Sequence, residues 1–223
     1  MLSLIDGDIC AYRCGFTTEE ESAGIAIARL DVMVERILEE TDARSHKIYL
    51  SDCKENNYRY KYLPTYKANR TKPHPIHLAV LKERLINRWG AEVTPNQEAD
   101  DALGIEQSKG NDTIICTIDK DLKQVPGKHY NFVKQEFSQV DYLEGMANFY
   151  EQLLVGDRAD NVLGVDGIGV VKAAKAMAYM ESELDMFDYV RAKYNDDVRL
   201  LNNMRVLWVR RLPEEIKGFP NET

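Results

Sequence analysis

Short apolar runs rich in β-branched residues alternate with stretches of helical period through the first 140 residues, and few folds accept that alternation. Leu2–Ile5, Lys47–Leu50, Ala91–Thr94, Thr113–Ile118 and His129–Val133 read as strands. Between the first two, Ile27, Leu30, Val34, Ile37 and Leu38 keep one helical face apolar, and Leu78, Leu81, Leu85 and Trp89 do the same before the third. Strands alternating with helices predict an α/β fold, a three-layer, mostly parallel sheet whose ligands bind beyond the carboxyl ends of the strands. From about Glu144 onward the strand pattern stops and helices take over, punctuated by Gly156, Gly164, Gly167 and Gly169. With no linker and no internal repeat, the expected organisation is one domain, 1–223. Residues from 1 to about 140 would form the α/β core, and those from about 141 to 223 a helical region ending in a loose GFPNET tail.

The acids fall in register with those strands. Asp6 and Asp8 close the first, Asp52 the second, and Asp119 and Asp121 the fourth. Glu98, Asp100 and Asp101 open the helix after the third, while Asp157 and Asp160 follow a helix ending near Val155. Any one group has an ordinary reading as a turn former, an N-cap or a solvated helix start. Ten carboxylates on one rim, however, repel one another and titrate upward unless cations offset them. Oxygen donors without neighbouring His or Cys suit Mg²⁺ or Mn²⁺ rather than Zn²⁺. An EF-hand is disfavoured, because Lys123 and Tyr130 stand where that loop needs its fifth and twelfth positions. Two acidic groups in one cleft fit a pair of divalent ions, the arrangement that hydrolyses phosphodiesters or phosphate esters.

Composition sets the outer limits. The chain is 44% hydrophobic and has no apolar run near membrane-spanning length, so no membrane partner is expected. MLSLIDGD reaches an acid after five residues, unlike a signal peptide. Cys10, Cys14, Cys53 and Cys116 lack CxxC spacing and read as buried free thiols of a reducing cytoplasm; Cys10 and Cys14 share a helical face but have no second pair to complete a zinc site. The formal net charge of −8 speaks against a nucleic-acid partner only as a total.

Locally the balance reverses. From Lys54 to Arg88 there are nine bases (Lys54, Arg59, Lys61, Lys67, Arg70, Lys72, Lys82, Arg84, Arg88) against Glu55 and Glu83, with Tyr58, Tyr60, Tyr62 and Tyr66 interleaved. Cations that track phosphates and rings that stack on unpaired bases make a single-strand binding pattern; half-buried tyrosines among solubilising lysines are the plain alternative. Pro64, Pro73 and Pro75 rule out a long helix there. Further on, LGVDGIGVVKAAK at 163–175 is neither a Walker A loop nor a Rossmann turn. Gly167 and Gly169 before a helix leave backbone N–H groups open to a phosphate, with Lys172 and Lys175 one turn on, as in a helix-hairpin-helix gripping a DNA backbone; an ordinary helix–helix turn is the alternative.

Taken together, IDGD at 5–8, YLSD at 49–52, YKANR at 66–70, EADD at 98–101, TIDKDL at 117–122, GDRADN at 156–161 and GVDGIG at 164–169 resemble the 5′-nuclease (flap endonuclease, PIN-like) superfamily, and most closely the short 5′-3′ exonucleases of bacteriophages. That resemblance implies a PIN-like fold with a helix-three-turn-helix, and cleavage of DNA from a 5′ end or flap with two Mg²⁺ or Mn²⁺ ions to leave 5′-phosphates; some members also remove RNA from hybrids. It implies that Asp6, Asp52, Glu98 and Asp100 hold one ion and Asp119, Asp121, Asp157 and Asp160 serve the other, with Asp101 between them. Lys67 and Arg70 would neutralise the scissile phosphate, Tyr66 would stack on the terminal base, and the glycine hairpin would bind duplex and a K⁺ ion. A phage-encoded member would act in the host cytoplasm and could meet replication proteins.

Asp8 has no ligand role in that pattern, and the stretch between Arg70 and the helix near His77 is short for threading a flap, which favours duplex ends or nicks. Two alternatives remain: a haloacid-dehalogenase-like phosphatase with Asp6 as nucleophile and Asp8 as general acid, or a catalytically silent DNA-binding module. If the ten cleft acids are set aside, 27 acids face 29 bases elsewhere, so the acidic total is largely the cleft itself.

Overall fold

A computed structural model describes residues 1–110 and 112–220. Six strands form one sheet in the order β3-β2-β1-β4-β5-β6: β1 (Leu2–Asp6), β2 (Ser45–Ser51), β3 (Glu92–Thr94), β4 (Thr113–Cys116), β5 (Gly127–Asn131) and β6 (Glu136–Val140). All neighbours run parallel except β6, which returns antiparallel to β5. The pleat sends alternate residues to opposite faces. Ile5, Ile48, Ile114 and Cys116 pack on one side against α1 (Gly7–Thr17), α2 (Ala23–Glu40) and α3 (Leu78–Trp89). Leu4, Tyr49 and Ile115 pack on the other side with α4 (Ala99–Gln107) and Val209. Being covered on both faces, the central strands read as continuous apolar runs.

A third core joins α5 (Tyr142–Val155), α6 (Val170–Met177), α7 (Glu183–Tyr194) and α8 (Asp197–Leu207) around Phe149, Leu153, Val190 and Trp208, and Tyr66 of the basic segment is buried within it. Between α5 and α6 the chain makes a two-stranded ribbon, β7 (Gly156–Asp157) against β8 (Val162–Leu163). Gly156, at φ +74°, passes Gly164 so closely that a Cβ on Gly164 would lie 2.3 Å from the Val155 backbone. Gly164→Ala should therefore cost about 3 kcal/mol in urea unfolding; a cost near zero would show that the crossing can spread.

The expected helical region is not helical throughout: α8 ends at Leu207, and Trp208–Arg210 continue as a buried non-helical strap. Phe219 packs on Phe187 (5.1 Å between ring centroids), so the start of the expected loose tail is held, while 221–223 lie outside the described residues. Cys10, Cys14 and Cys116 are buried thiols as read, but Cys53 is exposed. Among the described residues no helix is long and apolar enough to cross a membrane.

Candidate active site

From β1 the chain steps outward to β2 and β3, then resumes beside β1 as β4 on the other side. The carboxyl ends of β1 and β4 thus flank the point where an open α/β sheet forms its crevice. Asp6, the last residue of β1, caps α1 by accepting from the Ile9 amide at 3.0 Å and accepts the Thr117 hydroxyl at 2.8 Å. Thr117 Oγ1 in turn accepts the Asp119 amide, and Asp119 accepts the Asp121 amide at 2.9 Å, a turn that aims both acids past the end of β4. Beyond β2, Asp52 accepts from the Asn96 and Cys53 amides and from Asn56, and those donors hold its carboxyl below the usual range.

Burial, and then Asp8 and Asp119, push Asp6 up to about 7. Asp100 is driven well above the ordinary carboxylate range by burial and by Asp6, Asp119 and Glu98. Asp121 rises to about 7 through burial, Asp119 and Asp157. Asp119 is thus the acid that both groups feel. Glu98 goes the other way: burial alone would raise it, but Lys67 and Arg59 hold it down to about 2. These acids surround a cavity of about 530 Å³, lined by Asp6, Asp52, Glu98, Asp100 and Asp119 and faced by Lys54, Lys67, Arg70 and Lys82. Among the described residues no three acidic, His or Cys side chains close on one point in ligand geometry. The cleft's own cations sit among the acids: Lys67 on Glu98 and near Asp160, Arg70 on Asp160, and Lys82 on Asp8. An all-oxygen donor set under that much repulsion fits hard divalent cations.

The structure places several predicted residues differently. Asp101 is not between the two groups. As the third residue of α4 it turns back to accept the Glu98 amide, and it lies fully buried in a two-pronged ion pair with Arg59 (2.5 and 2.8 Å). Asp157 stays beside Asp121, but Asp160 leans away to accept Arg70 at 2.5 Å and the Tyr66 hydroxyl at 2.7 Å. Tyr66 is 2% exposed, so its ring has no face free for a base; of the four tyrosines in the basic segment, Tyr60 lines the cavity. Lys67 is ion-paired to Glu98 and lies 3.8 Å from Asp160. Of the nine bases, Arg59 is buried, Arg84 and Arg88 turn to Asp31 on α2, and Lys61 and Lys72 are exposed outside the cavity lining, while Lys54, Lys67, Arg70 and Lys82 stand in the cavity wall.

In the glycine hairpin, Gly167 has φ +75° with open space beside it, and Gly169 caps α6 without a side chain. Lys172 folds back onto the Gly167 carbonyl at 2.9 Å, and Lys175 is exposed on the next turn. Two features escaped the sequence reading. Arg59 stands in sequence among the phosphate-tracking cations, yet Asp101, three residues into a helix, is the position that turns inward and needs a buried partner. Lys82 is ion-paired with Asp8 at 2.5 Å, and the sequence signal for it is Asp8 itself, an acid with no ligand role.

The profile of the 5′-3′ exonuclease N-terminal resolvase-like domain matches residues 1–152. DNA polymerase I of Bacillus caldotenax is 27% identical over 92% of this chain but only 27% of its own length, so the chain spans about a quarter of that relative. A 5′-3′ exonuclease of Buchnera aphidicola is 25% identical over 76% of this chain and 67% of its own. Among solved structures, the T5 D15 protein co-crystallised with metal ions superposes with a TM-score of 0.69 at 17% identity, over 92% of this chain and 88% of that one. The catalytic core of Rad2 in complex with a DNA substrate reaches 0.55 at 15% identity, over 97% and 78%. A switch-point crevice lined with carboxylates, on a fold shared with those nucleases and matched by the domain profile over two thirds of its length, places this chain in the 5′-3′ exonuclease family.

Proposed function

We propose that this chain hydrolyses DNA phosphodiesters from 5′ ends with two divalent metal ions, Mg²⁺ or Mn²⁺, leaving 5′-phosphates. The observation that carries this reading is the convergence of Asp6, Glu98, Asp100, Asp119, Asp121 and Asp157 at one sheet end, with Lys67 and Arg70 facing them. Asp6, Asp52, Glu98 and Asp100 would hold one ion and Asp121 and Asp157 the other, Asp119 serving both; Asp160 joins the second set once Arg70 turns to a phosphate. When bound, the ions lower the pKa of water and offset charge on the leaving oxygen. A water oxygen would form the new P–O bond and give up a proton to solvent, the P–O3′ bond would break with O3′ taking up a proton, and the phosphate would stay on the retained strand. Lys67 and Arg70, released from Glu98 and Asp160, neutralise the scissile phosphate; Tyr66 holds Asp160 and Glu98 in place, and Tyr60 offers the ring on which the terminal base stacks. The open amides at Gly167 and Gly169, with Lys172 and Lys175, bind the duplex backbone, and a K⁺ ion at that hairpin is part of the same reading. RNA in hybrids is a second expected substrate, and 1–223 acts as one domain in a cytoplasm. The phosphatase alternative has no support in the geometry, where Asp8 is ion-paired to Lys82 and accepts the Ser51 amide.

A nicked duplex incubated with protein and Mg²⁺ tests this reading. The shortened strand should be joined by DNA ligase without prior phosphorylation once the gap is filled; a requirement for kinase treatment would refute the assigned bond. A second expectation concerns protons. Asp6 and Asp121 titrate near 7 in the folded chain against about 4 when unfolded, so with no metal their contribution to stability falls as pH rises from about 4 to about 7. Mg²⁺ displaces those protons, so it should raise the melting temperature more at about pH 8 than at about pH 6, and release protons on binding. Equal stabilisation at both would contradict the site.

A further inference from the structure

The part of the cavity beside α1 has no role in the proposed hydrolysis. Residues 71–77, between Arg70 and α3, do not stand away from the protein as an open arch but are fastened down onto α1 and the turn that follows it. His74 Nδ1 bonds the Tyr12 hydroxyl at 2.8 Å, His77 Nε2 bonds the Glu21 carbonyl at 2.9 Å, and Pro75 is buried against Gly15, where a Cβ would come within 2.6 Å of it. The cleft is thereby walled on this side by Tyr12, His74 and Lys82, all of which line the cavity. Lys82 Nζ is held into it by Asp8, whose other oxygen is fixed by the Ser51 amide at 2.8 Å. Its head also lies 6.0 Å from the centre of the Tyr12 ring, and Lys67 and Arg70 act on the same phenol. Lys82 and the His74 imidazole therefore line the α1 side of a cavity whose carboxylates are engaged by Lys67 and Arg70.

We infer that Lys82, His74 and Tyr12 form a subsite for the terminal 5′-phosphate of the strand being cut, with Asp8 as the residue that positions Lys82. This rests on the proposed 5′-end hydrolysis and deepens it. With the scissile phosphate at Lys67 and Arg70, the departing nucleotide lies toward α1, and its terminal phosphate monoester, carrying more charge than an internal diester, meets the lysine and the imidazole. A strap seated on α1 leaves room for an end and closes the path of a long flap, so Asp8 and the short 71–77 segment find one common explanation.

The test measures single-turnover cleavage of 3′-labelled duplexes bearing a 5′-phosphate, a 5′-hydroxyl, or a long single-stranded 5′ flap, using the wild-type chain, Lys82→Ala and His74→Ala. Wild type should cut the 5′-phosphate end about tenfold faster than the 5′-hydroxyl end, and faster than the long flap. Both variants should lower the phosphate-end rate to that of the hydroxyl end while changing the hydroxyl-end rate less than about twofold. On the phosphate end Asp8→Asn should fall between wild type and these two variants, with its melting temperature recorded alongside. Equal wild-type rates on phosphate and hydroxyl ends would overturn the subsite, as would variants that slow both ends equally, or a long flap cut as fast as a phosphate end. Absence of cleavage on every substrate would instead overturn the proposed hydrolysis on which the subsite rests.

Discussion

Asp119→Ala is expected to lower the rate of duplex DNA cleavage at least about a thousandfold, while the protein still binds that DNA in Ca²⁺. Asp119 is the acid whose charge reaches both Asp6 and Asp100 on one side and Asp121 on the other, so its loss removes a donor shared by both proposed ions. The same charge raises its neighbours' pKa values, and deleting it relieves repulsion rather than creating it. The metal-free variant should accordingly melt no lower than wild type, and Mg²⁺ should stabilise it less. A folded variant that Mg²⁺ stabilises as much as wild type, or that still cuts, would refute the metal assignment.

Arg59→Met is expected to have the largest effect on stability. Arg59 is 3% exposed, bonds both oxygens of Asp101, and donates to the Val206 and Trp208 carbonyls, while Asp101 also accepts the Arg210 amide. This knot ties the strap after α8 to the first turn of α4, the turn that presents Glu98 and Asp100. Removing one partner strands a buried carboxylate at a cost of about 3–5 kcal/mol, or about 10 °C in melting temperature for a chain of this size. Arg59→Met combined with Asp101→Leu should recover much of that loss, because the charge left behind is what costs most. Singles and double that destabilise additively would show that the pair is not coupled. The double variant should also keep measurable Mg²⁺-dependent cleavage, since Asp101 lies outside the cleft.

The parts of this molecule that repeat a local rule were legible in its sequence. Apolar runs ending in Asp6, Asp52 and Asp119 gave away the parallel strands and the rim where their acids meet, because a strand buried on both faces has little choice of residue. The antiparallel β6 was not readable: Glu136–Val140 is an exposed edge with only Val140 buried, so its pairing with β5 leaves almost no hydrophobic trace. Nor was the two-residue ribbon at Gly156 and Val162, whose strands are too short to carry a period. Within the site, residue type and spacing located the acids but not the direction each one faces. Asp101 and Asp160 belong to the same strings as Asp100 and Asp157, yet a helix's first turn rotates one inward to Arg59, and Arg70 with Tyr66 draws the other aside. Tyr66 and Arg59 looked like nucleic-acid contacts because a buried cation or ring and an exposed one are the same letter; only the helices α5–α8 closing over them decide the matter.

The central claim, that this carboxylate cleft cuts DNA from its 5′ end with bound divalent metal, is tested most directly by one time course. A duplex labelled at the 5′ end of a strand, and separately at its 3′ end, is incubated with the chain in Mg²⁺ and in EDTA. The account predicts that in Mg²⁺ the 5′ label appears first in the smallest products while the 3′ label persists on fragments that shorten gradually, and that neither label moves in EDTA. Release of the 3′ label first, or cleavage that survives EDTA, would contradict it.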